Sequence, residues 1–131
     1  MNLRLKTKLD VESKLNELQS GLQVSSKAAV MRLAIAYSLK INDDPRIIDL
    51  KLEKYDIRKQ NGADYNRFTI FGDDELIYKV MMEQHLQKHL SDDEFFPEMT
   101  NAHIERGIKD LYADFKLAKT KEKLIIELLG K

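Results

Sequence analysis

The chain has no cysteine and no tryptophan, and its 131 residues include only two prolines, five glycines and three histidines. Without cysteine there are no disulfides, no thiolate nucleophile and no iron–sulfur ligation, and three histidines supply a structural zinc site poorly. The scarcity of glycine and proline, with 43% hydrophobic and 34% charged residues, argues against a fibrous or disordered chain and for a helix-rich one. No apolar run is long enough to span a bilayer. Met1 to Lys8 alternates leucine with charge instead of forming a signal-peptide apolar region. These features predict one compact, cytoplasmic domain without membrane contact. Catalytic signatures are also missing. No serine sits in Gly-x-Ser-x-Gly, and no glycine-rich loop precedes a helix, so a nucleophile elbow, a P-loop and a dinucleotide fingerprint are absent and no enzyme activity or cofactor is expected.

Charge is balanced only as a sum, with 22 basic and 22 acidic residues. Residues 1–40 carry seven basic groups (Arg4, Lys6, Lys8, Lys14, Lys27, Arg32 and Lys40) against three acidic ones, Asp10, Glu12 and Glu17. The remainder carries the matching acidic excess. A basic amino-terminal third on an acidic body attracts a polyanion locally; ordinary scatter of surface charge is the other reading.

The patterning predicts a mainly α fold with short β segments: a basic strand–helix–helix over 1–41, a connection over 42–72 and a helical part over 73–131. Leu3-Arg4-Leu5-Lys6-Thr7-Lys8 has the period of a half-buried strand, with Arg4, Lys6 and Lys8 on one face. From Asp10 the period becomes helical through Val11, Leu15, Leu18 and Leu22, with Gly21 as the expected stop. Ser25 or Ser26 is positioned to cap a second helix running toward Leu39, which Asn42-Asp43-Asp44-Pro45 ends. A brief strand is expected near Leu50 to Leu52, and Phe68-Thr69-Ile70-Phe71 is β-prone. Gly72-Asp73-Asp74 then opens a third helix expected to reach about Leu90-Ser91. Asp92-Asp93 cap a fourth helix, or a short turn before it, with a stripe from Met99 to Phe115. Lys121 to Leu129 forms a last helix exposing Leu124, Ile125, Leu128 and Leu129 to something apolar.

His85 and His89, four residues apart, share a helix face, but with no third ligand the ordinary reading is a solvated face and no metal site is expected. His103 beside Glu105 and Arg106 reads as a helix-packing histidine or, alternatively, a general base. The acidic pairs Asp43-Asp44, Asp73-Asp74 and Asp92-Asp93 sit at predicted helix ends, where carboxylates cap free amides. The informative segment is the first forty residues, which have the order of a ribbon-helix-helix module. In such a module two copies pair their strands, the ribbon face enters a groove and the second helix offers its first amides to a phosphate. Arg4, Lys6 and Lys8 would form that face, with Ser25, Ser26 and Lys27 at the phosphate. A strand and two helices that merely build the core, with basic residues keeping an edge strand soluble, read equally well.

Asp64-Tyr65-Asn66-Arg67-Phe68-Thr69-Ile70-Phe71-Gly72 and Ala102-His103-Ile104-Glu105-Arg106-Gly107-Ile108 resemble the DndE family of DNA sulfur-modification proteins. Leu3-Arg4-Leu5, Gly21-Leu22, Arg32-Leu33-Ala34 and Ser38-Leu39 resemble it in the same order, so the likeness covers roughly residues 3–115. It implies a small, non-catalytic, self-assembling partner of the machinery that places sulfur on the DNA backbone, binding double-stranded DNA, nicked duplex included, and meeting other sulfur-modification proteins. Arg4, Lys6, Lys8, Lys14, Ser26, Lys27 and Arg32 are the candidate DNA contacts. Asn66, Arg67, Gly72, His103, Glu105 and Arg106 are candidate structural motif residues, with Glu105 a possible partner for Arg67. A homo-oligomer of unfixed size, a tetramer included, is expected. The first helix departs from the family pattern, because Lys14 is its one cation before Gly21, which implies fewer phosphate contacts. Two other readings remain: a ribbon-helix-helix transcriptional regulator, and a protein-interaction subunit without direct DNA binding.

Overall fold

A computed structural model describes residues 1–130. The chain runs β1 (Arg4–Lys6), α1 (Leu9–Leu22), α2 (Lys27–Ser38), β2 (Ile47–Ile48), β3 (Lys51–Leu52), β4 (Asp64–Asn66), α3 (Arg67–Phe71), α4 (Glu75–Leu86), α5 (Thr100–Ala118) and α6 (Lys121–Leu129). The fold is mainly α, and its strands form two antiparallel pairs, β1 with β4 and β2 with β3.

Helix α1 forms where the sequence turns amphipathic: Val11, Leu15, Leu18 and Leu22 are buried, and Asp10 and Glu12 occupy the favourable first turn. Gly21 does not end it. The left-handed residue is Gln23, whose amide reaches back to the carbonyls of Gln19 and Ser20. Helix α2 starts at Ser26, whose Oγ accepts from the Ala29 amide at 3.1 Å.

The nineteen-residue α5 is the central beam, packed along α2 and also against α1 and α6. Gly107 sets the spacing. A Cβ built there would lie 1.8 Å from the Ala34 carbonyl oxygen, so only glycine lets the two backbones come this close. Leu5, Leu15, Leu18, Met31, Ile35, Ile70, Phe71, Met82, Phe95, Phe96, Met99, Ile104 and Ile108 meet in one buried cluster. Burying apolar surface at roughly 25 cal/mol per Å² makes this cluster the main favourable term in folding.

The structure corrects the reading of several segments. Phe68–Phe71 is helical, because the Asn66 carboxamide oxygen accepts from the Phe68 amide at 2.8 Å and starts a turn. The strand lies just upstream, at Asp64–Asn66. Gly72 follows with φ +58° and ψ −133°, a conformation that favours glycine, and lets the chain turn into α4. Helix α4 ends at Leu86, short of Leu90, where Gln87 adopts the left-handed conformation. A distorted turn over Glu94–Met99 then leads into α5.

The carboxy-terminal stripe is split. Leu124 is buried and Leu128 packs on the core, whereas Ile125, Ile126 and Leu129 face outward. Among the described residues no helix is long and apolar enough to cross a membrane.

Candidate nucleic-acid interface

The alternation in β1 is realised in part: Leu5 and Thr7 are buried on one side, while Leu3 is exposed. One backbone edge of this strand is occupied by β4, and on the other the Lys6 groups are engaged by the chain itself. On one edge β4 pairs with it in the register Arg4↔Asn66, Leu5↔Tyr65 and Lys6↔Asp64. The Arg67 amide extends that ladder to the Leu3 carbonyl at 2.8 Å, and the Thr7 amide to the Ala63 carbonyl at 3.0 Å. On the other edge the Lys6 amide donates to the Tyr55 hydroxyl at 3.0 Å, and the Gln60 side-chain amide donates to the Lys6 carbonyl at 2.7 Å. The ribbon-helix-helix expectation is met in element order, but β1 pairs with β4 of its own chain, and the Lys6 amide and carbonyl on its other edge are engaged by Tyr55 and Gln60.

The seven proposed DNA contacts differ in what holds them. Arg4 is exposed and Lys6 half-buried, and neither has a carboxylate partner among the described residues. Lys8 is held by Glu105 at 3.1 Å, with Glu53 at 3.8 Å. Lys14 lies over the Tyr112 ring, 5.7 Å from its centroid. Lys27 bridges to the buried Glu12 carboxylate at 3.2 Å, and Arg32 donates to the Ile70 carbonyl at 2.8 Å. Ser26 is occupied in capping α2.

Glu12 is a residue whose role sequence reasoning missed. It accepts from the Thr7 and Tyr65 hydroxyls as well as from Lys27, tying β1, β4 and α2 through one carboxylate. Burial, with the neighbouring carboxylate, pushes the Tyr65 phenol well above its usual range, so it stays a proton donor. The readable trace was an acid standing next to Val11 on the apolar side of an amphipathic helix.

Cations that sequence order did not group lie along the outer edge of β1. The segment carrying Tyr55 and Gln60 also carries exposed Lys54, Arg58 and Lys59, and Arg4 lines a surface depression with Tyr55, Asp56 and Ile57. Arg58 is paired with Asp56, whereas Lys54 and Lys59 have no carboxylate partner among the described residues. Arg4, Lys6, Lys54 and Lys59 thus lack a carboxylate partner among the described residues, although Arg4 shares its depression with Asp56, Asp93 and Glu98, and Lys54 and Lys59 line the groove against α5.

The motif residues serve as internal ties. Arg67 is buried between the rings of Phe95 and Phe96, its guanidinium carbon 5.5 and 5.1 Å from their centroids. It donates to Glu75 at 2.5 Å, to Asp92 at 2.6 Å and to the Asn2 carbonyl at 3.1 Å. Its partners are therefore Glu75 and Asp92, not Glu105, because β4 and α3 direct the side chain toward the start of α4 and the turn before α5. Glu105 instead receives Lys8 and Lys109.

Arg106 donates to Ser38 Oγ at 2.8 Å and to the Ser38, Ile41 and Asp43 carbonyls, closing the end of α2. Ser38 Oγ lies 2.9 Å from His103 Nδ1. His103 is fully buried, and desolvation together with the Arg106 charge pushes its pKa down to about 3, so the ring is neutral. His85 and His89 diverge: His85 Nε2 faces the Ile41 carbonyl, whereas exposed His89 pairs with Glu83. The described residues contain no group of three or more metal-capable side chains.

A family model described as DNA sulphur modification protein DndE matches residues 4–119. No protein in the curated set matches.

Proposed function

The chain belongs to the DndE family of DNA sulphur modification proteins, and from that premise we propose that it is a non-catalytic accessory protein that grips the phosphate backbone of double-stranded DNA, intact or nicked. Membership implies the role in DNA sulfur modification. The observation that supports backbone contact is that Arg4 and Lys6 of β1, and Lys54 and Lys59 of the connection that meets its outer edge, have no carboxylate partner among the described residues. Cations free of carboxylate partners release counterions from DNA when they meet phosphates, whereas Lys8 and Lys27 would first have to leave Glu105 and Glu12. The contact set is therefore narrower than the seven residues read from the sequence, with Lys14, Ser26 and Arg32 in supporting positions. A modest field per chain gains strength when several copies act together, and the reading includes a homo-oligomer, up to a tetramer, that meets other modification proteins.

A labelled duplex titrated at rising salt tests this. Binding should weaken steeply with salt, by a log–log slope of about 0.9 per phosphate contact. Arg4→Glu combined with Lys6→Glu should abolish it, while a flat salt response or unchanged binding by the double variant would sink the proposal. Competition with random DNA separates it from a sequence-specific regulator, which should prefer one site. The pairing of β1 with β4 of its own chain disfavours that rival. The protein-interaction reading draws on the carboxy-terminal stripe, of which Ile125 and Leu129 face outward, and predicts partner capture without DNA binding.

A further inference from the structure

Between α5 and the connection from Ile41 to Gln60 lies a groove of about 430 Å³. Gln60 and Asn101 line it, 5% and 8% exposed. Their amide orientations follow from chemistry. The Lys6 carbonyl can only accept, so the Gln60 group 2.7 Å from it is the NH2. That same NH2 faces Asn101 at 3.4 Å, so the Asn101 atom there is the carbonyl oxygen. Both Gln60 hydrogens are thereby engaged. Gln60 Oε1 and Asn101 Nδ2 remain without a protein partner among the described residues, an acceptor and a donor on neighbouring, nearly buried side chains of one cavity.

The rest of the lining narrows what would satisfy them. Tyr55 is held by the Lys6 amide through its hydroxyl, which fixes a ring at the groove, and Ile41, Pro45 and Ala102 add apolar wall. The charged side chains balance in sign: six cations, Lys54 and Lys59 among them, stand with seven acids around the groove, and Lys8 and Lys109 meet Glu105 while Arg46 meets Asp44 and Glu98. A wall without an excess of positive charge does not select an anion. It suits a flat, uncharged ring with a hydrogen-bond donor beside an acceptor on its edge, stacked on an aromatic side chain.

We infer that this groove is a nucleobase site, which takes one unstacked base through Gln60 Oε1 and Asn101 Nδ2 with Tyr55 against its face. The inference rests on the reading that the chain meets DNA and adds the substrate feature it would read: a base released from the stack, as at a break or a frayed end. The cations beside β1 would hold the backbone while the groove holds the base.

The test uses the full-length protein labelled with nitrogen-15, titrated with deoxyadenosine and deoxycytidine, which carry no phosphate. Both should saturably shift the Gln60 and Asn101 side-chain amide resonances in the millimolar range, at about 1–10 mM. Asn101→Ala should weaken binding about tenfold, and Tyr55→Leu, which leaves the amide pair in place, should weaken it comparably. No nucleoside response at about 10 mM, or the same shifts from inorganic phosphate alone, would overturn the inference. Duplex binding by the same samples separates the two ideas: nucleoside failure with salt-sensitive duplex binding removes the groove alone, and nucleoside binding without duplex binding removes the backbone reading alone.

Discussion

Arg67 and His103 show how single residues hold this protein together. Arg67 joins the amino-terminal strand, the start of α4 and the turn before α5, with both carboxylates at charge-assisted distances and two aromatic faces around its guanidinium. Arg67→Ala should cost about 2–4 kcal/mol in urea denaturation, because it strands two carboxylates and leaves a void between the rings. Arg67→Lys should recover only part of that, since an ammonium cannot fork to two partners. His103 gives stability a pH slope. Its folded pKa of about 3 lies below the unfolded value, so in that window the unfolded chain binds the proton that the folded chain refuses. The contribution is complete above about pH 6.5 and is lost as pH falls toward 3, with about 2 kcal/mol gone by pH 5. Urea midpoints at pH 7.5 and pH 5 should show this loss, and His103→Gln should flatten it. Asp92, held below the usual carboxylate range by Arg67, adds its own loss only below about pH 4.

At the scale of elements, the local signals in the sequence were decisive where local chemistry decides the structure. The alternation around Leu5, the spacing of Val11, Leu15, Leu18 and Leu22, the Ser26 cap and the last helix from Lys121 to Leu129 are all legible in the sequence. Phe68–Phe71 went the other way because aromatic and β-branched residues favour strands, yet the Asn66 cap and burial of Ile70 and Phe71 favour a turn of helix. Tertiary choices left less trace. Nothing in the spacing shows that Arg67 meets Glu75 and Asp92, that Glu12 lies under Tyr65, or that Gln60 and Asn101 share a cavity, because these pairs depend on where β4, α5 and the connection settle. The basic amino-terminal third was visible as composition, but its division into free cations (Arg4 and Lys6) and tethered ones (Lys8, Lys27 and Arg32) is a property of the assembled fold.

For the whole molecule, the exposed apolar side chains of α4 matter most. Leu76, Ile77 and Val80 project from one stretch of the helix while Met82 alone is buried from it, and Phe68 of the adjoining α3 is exposed as well. A patch of this kind supports the proposed self-association. The native particle should therefore exceed the 15.3 kDa of one chain in light scattering or native mass measurement, and Ile77→Lys should return it to that mass without loss of helical signal. A wild-type mass of a single chain would remove the oligomer from the proposal. The backbone seam where Gly107 rests on Ala34 bears on how such an assembly would respond. With no side chain between them to swing or repack, the second and fifth helices are welded rather than hinged. A displacement taken up at one end of that joint is passed to the other, so α2 and the α5 wall of the groove travel as one piece.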